Sequence, residues 1–193
     1  MKAQFTMMFS TLSMSARDLA MVGLLAVLLG NPAITRAQDD MAPLVTRGRI
    51  DLNLGGAHLI LKAAQDKAKS MNVPVNIAIV DDGGHLIAFA RMDGARPASG
   101  YTAQTKAQAA ATFRRATGPV PPMAEPDLLL NFSLQSAAAA GGGKFTSLKG
   151  GAPVIVEEQV VGAVGVGGGT GEQDAEIAQA GIAALLEAMN HAK

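Results

Sequence analysis

The stretch from Ala78 to Gly94, AIVDDGGHLIAFARMDG, limits what this chain can become more than any other. Apolar residues alternate through Ile77 and Ile79 up to Asp81, and Leu86, Ile87, Ala88 and Phe89 resume the apolar run after a break. That break, Asp82-Gly83-Gly84, is a turn sequence: a tight reversal between twisted strands needs positive φ, and glycine reaches it without a Cβ clash. Two strands joined by so short a turn pair antiparallel. His85 opens the returning strand, and Arg91, Asp93 and Gly94 close it, so polar groups stand at both of its ends. Such a hairpin is a scaffold, the wall of a site, or both.

The flanks read as helices. Asp51 or Asn53 caps a first helix running to about Met71, with Ala57, Ile60, Leu61, Ala64 and Ala68 on its apolar face. Asn72 is a left-handed stop and Pro74 prevents continuation. A second helix opens at Ser99 or Thr102 and runs to about Ala116. Lys106, Ala109, Ala110 and Phe113 share one face of it, and that face is mostly small. Prolines at 119, 121, 122 and 126 end helical order before a short helix over Leu128 to Ala140, which stops at three glycines. Phe145 to Leu148 reads as a short strand. Val154 to Val156 and Val160 to Val166 read as clearer strands joined through Glu157-Glu158-Gln159, with Gly162 and Gly165 inside the second. Thr170 with Gln173 three residues on forms a capping box for the last helix, and Glu172 and Asp174 suit its positive end. The order predicts an α+β fold: an antiparallel sheet of about five strands flanked by helices.

Composition removes several function classes. Lys and Arg number 16 and Asp and Glu 16, so the net charge is zero and a nucleic-acid footprint is absent. The chain has no Cys, which excludes disulfides, thiolate metal sites and cysteine nucleophiles. The apolar run Leu19 to Leu29 is short for a membrane span and suits the core of a signal peptide. Thr35-Arg36-Ala37 then fits a cleavage site, with Met1 or Met14 as the start. The expectation is a signal peptide over 1–37, a flexible leader over 38–50 and a folded domain over 51–190. It places the mature protein in the periplasm or outside the cell, with no membrane contact after cleavage.

Two glycine-rich runs invite a nucleotide reading. Gly165 to Gly171 has Thr170 where the third glycine of a dinucleotide fingerprint belongs, and Gly142-Gly143-Lys144 is followed by Phe145 instead of Ser or Thr. The helix terminus at Thr170 remains able to bind an anion. Of the histidines, His191 sits in the tail. His58, at the edge of the first helix's apolar face, is a satisfied histidine or a metal or haem ligand; His85 is a strand-start residue with an exposed ring or a ligand. Arg91 and Asp93, two apart on a strand, share a face and can pair or meet a ligand. Lys106, Arg114 and Arg115 offer charge to a carboxylate.

Taken together, IAIVDDGGHLIAFARMDGA, TKAQAAATF with RRATG, GGAPVIVEEQVVGAVGVGGGTGEQD and the alanine-rich last helix resemble the GlcG/HbpS family of haem-degrading domains. The resemblance runs from about Asp51 to Ala188. It implies a profilin-like α+β fold, oligomers and, in several branches, haem binding or peroxide-linked haem breakdown. Other branches accompany glycolate oxidation or corrinoid enzymes. On the matching motifs it carries over His85, Arg91, Asp93, Gly94, Lys106, Phe113, Thr117 and the segment Gly165 to Asp174, where Gly167 replaces the usual serine.

The first reading is therefore an exported haem-binding protein. His85, His58 or Thr117 would approach the iron, Lys106, Arg91 or Arg114 would meet the propionates, and Phe89, Phe113, Val154 and Val164 would line the slot. The second is an enzyme or carrier for a small organic acid such as glycolate, held by Arg91 and the Thr170 helix terminus, with Asp93 or His85 as base. The third is a non-catalytic partner domain of a sensor. Self-association is expected, with Ala109, Ala110 and the glycine strand near the interface.

Overall fold

The computed structural model describes residues 48–122 and 125–191; the signal-peptide reading and most of the leader lie outside the described residues. Four helices and four strands follow in order: α1 (Leu54–Ser70), β1 (Asn76–Asp81), β2 (Leu86–Arg91), α2 (Ser99–Thr112), α3 (Leu128–Ala140), β3 (Gly151–Val156), β4 (Gln159–Gly167) and α4 (Gly171–His191). The strands form one antiparallel sheet in the order β2-β1-β4-β3. The fold class is the α+β expected, with one strand fewer: Phe145 to Leu148 is irregular, and Phe145 instead packs its ring on Phe113, centroids 5.1 Å apart.

β1 is buried on both faces. Ile77 and Ile79 face α1 and α4, in a core with Ile60, Val164, Val166 and Ile177; Ala78 and Val80 face α2 with Ala103, Ala107, Ala110 and Ala163. The two helices on the first face touch through small residues, since a Cβ at Gly181 would lie 2.8 Å from the Ile60 carbonyl oxygen. On the second face α2 rests directly on strand backbone. A Cβ at Gly165 would overlap the carbonyl oxygen of Ala103 and the amide nitrogen of Ala107, so the helix lies as close as it does because β4 has no side chain there.

Local signals hold where they concern backbone. Asn53 caps α1 by accepting from the Gly56 N–H at 2.9 Å, and Asn72 takes φ +56° after it. Thr170 and Gln173 exchange the two hydrogen bonds of a capping box, at 2.9 and 3.2 Å. The second helix ends at Thr112, short of Ala116, because Arg114 turns to φ +53° and sends the chain back toward β3. The expected interface at Ala109 and Ala110 is overturned. Both are buried within this chain, Ala110 in the alanine layer against the sheet, so the small face of α2 serves the fold's own packing.

The β3–β4 turn is made by Glu157 and Glu158, both at positive φ (+48° and +63°). A left-handed conformation costs an L-residue with a Cβ about 1–2 kcal/mol, and Asn-Gly is the sequence such a two-residue turn favours. Replacing Glu157-Glu158 with Asn-Gly should raise stability by about 1–2 kcal/mol, read as a melting temperature several degrees higher, at roughly 2–4 °C per kcal/mol for a domain of this size. An unchanged or lower melting temperature would show that the turn is unstrained.

Candidate ligand-binding site

Thr117 and Gly151 tie the chain leaving α2 to the start of β3. The Thr117 N–H donates to the Gly151 carbonyl at 2.9 Å, and the Gly151 N–H donates to Thr117 Oγ1 at 2.8 Å. Beside this junction lies a buried ion pair. Lys106 Nζ donates to Asp174 Oδ2 at 2.7 Å and to the Val166 carbonyl at 2.8 Å, while Asp174 Oδ1 accepts from the Gly169 N–H at 2.9 Å. The two side chains are 5% and 3% exposed. Gly150, at φ +117°, covers the pair. A Cβ there would lie 2.6 Å from Asp174 Cβ and 2.9 Å from Lys106 Nζ, so a side chain would pry the pair open.

Two clefts flank the segment from Lys149 to Gly151. One, of about 560 Å³, is lined by Arg115, Ala116, Thr117, Pro119, Pro122, Gly151, Ala152, Ala175 and Gln179. Its walls are mostly small and apolar, with Thr117, Arg115, Lys149 and Gln179 as the polar residues at its lining. A narrow crevice joining Phe113, Phe145, Arg115 and Thr117 adjoins it. The other cleft, of about 360 Å³, is polar: Arg96, Ser99, Thr102, Lys106, Lys149, Gly168, Gly169 and Asp174 line it. Lys149 there pairs with Glu172 at 3.0 Å, and this hydrogen bond is the main reason the Glu172 carboxyl sits below its ordinary pKa.

The structure thus gathers some of the residues singled out from sequence and leaves others apart. Lys106, Thr117 and Phe113 stand around the two clefts, and Thr170 stands at the α4 terminus beside the polar one, its hydroxyl used as a cap. Lys106 is held by Asp174. Arg91, the last residue of β2, and Asp93, just after it, are exposed, form no ion pair with each other, and line neither cleft. His58 is exposed on α1. The His85 side chain is 84% exposed and sits 3.2 Å from the Asp81 carboxylate. No histidine lines either cleft. From sequence, Asp174 reads as a helix-dipole charge and as the end of the Gly165 to Asp174 motif, not as the partner of Lys106. Its spacing held the signal: Asp174, Ile177 and Gly181 fall on the buried side of α4, so the acid belongs to the core face. Arg96, Lys149 and Gln179 had no such signal.

An antiparallel four-stranded sheet with a single helix on one face, two on the other and clefts around the start of β3 defines a small α+β domain of the class expected from sequence. A family model described as haem degrading protein, HbpS-like, matches residues 52–183, and the chain belongs to that family. Protein GlcG of Escherichia coli K12 is 43% identical over 110 residues, covering 57% of this chain and 76% of GlcG. Among solved structures, the PduOC:haem complex is 27% identical with a TM-score of 0.55, covering 70% of this chain and 95% of that one. A variant of Streptomyces reticuli HbpS is 29% identical with a TM-score of 0.58, covering 74% and 95%.

Two tests follow from the charges. Lys106→Met leaves Asp174 buried and uncompensated and should cost about 3–5 kcal/mol in chemical denaturation. Adding Asp174→Leu should recover most of that loss, short of about 1 kcal/mol for the abandoned Gly169 N–H; equal losses in single and double variants would contradict it. The second concerns Asp81. Burial pushes its carboxyl up, but the His85 N–H and ring and the Gly83 N–H outweigh this and hold it below the ordinary value. A depressed folded pKa contributes stability that is present above the unfolded value and lost as pH falls through the folded one. Asp81→Asn should therefore lower the melting temperature at neutral pH, and the gap should close below about pH 4. A gap that widens in acid would refute it.

Proposed function

We propose that this protein binds haem in the 560 Å³ cleft beside Thr117. The single observation that carries the reading is the composition of that cleft. It has the volume of a cofactor site, apolar walls at Ala116, Pro119, Pro122, Ala152 and Ala175, an oxygen donor at Thr117, and a cation at Arg115. The family and the haem complex of PduOC support the choice of ligand. Bound haem would supply an iron centre open to redox and peroxide chemistry. Thr117 would hold its hydroxyl toward the cleft, oriented by the hydrogen bond it accepts from Gly151. Arg115 and Lys149 would meet the propionates, and the proline wall would keep water from the macrocycle. Of the donors proposed from sequence, His85 and His58 lie away from this cleft, so Thr117 is the residue of this chain proposed for the iron. Arg91, Asp93 and Lys106 are proposed for no direct contact.

Export remains part of the proposal, supported by the 11-residue apolar run and the Thr35-Arg36-Ala37 site. Among the described residues no helix is long and apolar enough to cross a membrane. Sequencing the N-terminus of protein from fractionated cells should give Gln38; an intact Met1 or Met14 in the cytosol would refute export.

A second reading has its own observation. The polar cleft sets Arg96, Lys149 and the α4 N-terminus around a space suited to a small carboxylate such as glycolate. The readings separate in solution. Haemin titration should give a saturable Soret shift. Ala175→Trp, which fills the apolar cleft, should weaken it at least tenfold, about 1.4 kcal/mol, with little change in melting temperature. An Arg96→Ala-sensitive rise in melting temperature with glycolate, and no Soret shift, would replace haem with the acid.

A further inference from the structure

The polar cleft carries more hydrogen-bond donors than the chain itself uses, and they fall into two groups. Arg96 stands just ahead of α2. Its backbone is fixed by Asn76, wholly buried on β1, which donates to the Arg96 carbonyl at 3.0 Å. Its guanidinium makes one long contact, 3.5 Å to the Gly168 carbonyl, and no ion pair among the described residues. Lys149 stands at the other end of the same turn. A Cβ at Gly171 would lie 3.0 Å from Lys149 Cβ, and the Lys149 ammonium meets Glu172, which is 74% exposed. The two cations therefore mark the Gly168 end and the Gly171 end of the turn into α4. Each end also has a donor without a partner. Ser99, whose N–H reaches back to the Arg96 carbonyl, is 7% exposed and borders the cleft, and its hydroxyl has no partner among the described residues. The N–H of Gly171, the first of α4, has none there either.

We propose that the polar cleft is a site for a short-chain dicarboxylate. One carboxylate meets the Arg96 fork and the Ser99 hydroxyl, and the other meets Lys149 and the Gly171 N–H. The proposal rests on the polar cleft being an acid site and extends it from one carboxylate to two; it does not depend on haem. A monocarboxylate satisfies one end and leaves a buried or terminal donor unpaired at the other. The lining holds three cations and one carboxylate, Asp174, and that carboxylate is taken by Lys106 at 2.7 Å. Two positive charges stand in excess, which a dianion matches. The cleft's 360 Å³ has room for a diacid of about four or five carbons, with Leu148 and Ala98 beside its methylenes. A phosphoryl group fits less well, because it gathers its charge at one centre and engages one end. Exposed ion pairs are weak, so Lys149 exchanges Glu172 for a bound carboxylate readily.

Calorimetric titration of the purified, haem-free full chain with succinate, glycolate and inorganic phosphate tests this. Succinate should bind about tenfold tighter than either of the others, or better. Arg96→Ala and Lys149→Ala each strip one end, so each should weaken succinate by about tenfold and bring it near glycolate. Ser99→Ala should weaken it about threefold. Glu172→Gln, which releases Lys149, should tighten it by about twofold or more, an effect that a merely structural lysine would not produce. Glycolate binding as tightly as succinate, and lost in Arg96→Ala, would keep the acid site and overturn the dicarboxylate. Phosphate binding tighter than succinate would overturn it in favour of a phosphoryl ligand. Binding of none of the three would overturn both the acid site and this proposal, and would leave the Soret titration with haemin unaffected.

Discussion

Everything around the candidate site depends on the contact between α2 and β4 at Gly165. Helix backbone meets strand backbone there with no side chain between them. So close an approach leaves space only for alanines on the helix, and the layer between helix and sheet is built from Ala103, Ala107, Ala110, Ala78 and Ala163. Alanine loses no side-chain entropy on burial and favours the helix, so the layer is cheap to order and stiff once formed. Its cohesion comes from many short van der Waals contacts, which makes it intolerant of added atoms.

That closeness also explains why a lysine is buried. From α2, Lys106 reaches the Val166 carbonyl and Asp174 on the other side of the sheet's end, and the chain beyond α2 returns to pair Thr117 with Gly151. The pair joins α2, β4 and α4 at one point. Its contribution is positional more than energetic, because desolvating two charges offsets most of their attraction. It also neutralises Lys106 in a buried pair, which leaves Arg115, together with Lys149 once it exchanges its exposed Glu172 partner, as the cations proposed for an anionic ligand in the neighbouring cleft.

Much of the fold was legible because it is written in backbone chemistry. The Asp82-Gly83-Gly84 turn, the Asn53 cap, the left-handed Asn72, the Thr170–Gln173 box and the glycines of β4 each state a local requirement that one residue type meets. The site was less legible because it is made by long-range meetings. Lys106 was singled out, but its partner lies 68 residues on. A face of small residues on α2 reads equally as an interface or as a close internal contact, and only the position of β4 decides it for Ala110. His58 and His85 drew attention as ligand types, yet periodicity cannot say that both rings face solvent. Phe145 to Leu148 reads as a short strand, but the segment is irregular and the Phe145 ring packs on Phe113.

The central claim is that ligand enters at the Thr117–Gly151 junction, on the apolar side of the Lys149–Gly151 segment. Paramagnetic haemin broadens the amide signals of nuclei close to the iron, so its effect on assigned backbone resonances locates it directly. Binding in the apolar cleft predicts loss of the signals of Arg115 to Gly118, Gly151, Ala152, Ala175 and Gln179, with Ser99, Thr102 and Gly169 retained. Broadening centred on Ser99, Thr102 and Gly169, or around His85, would contradict it.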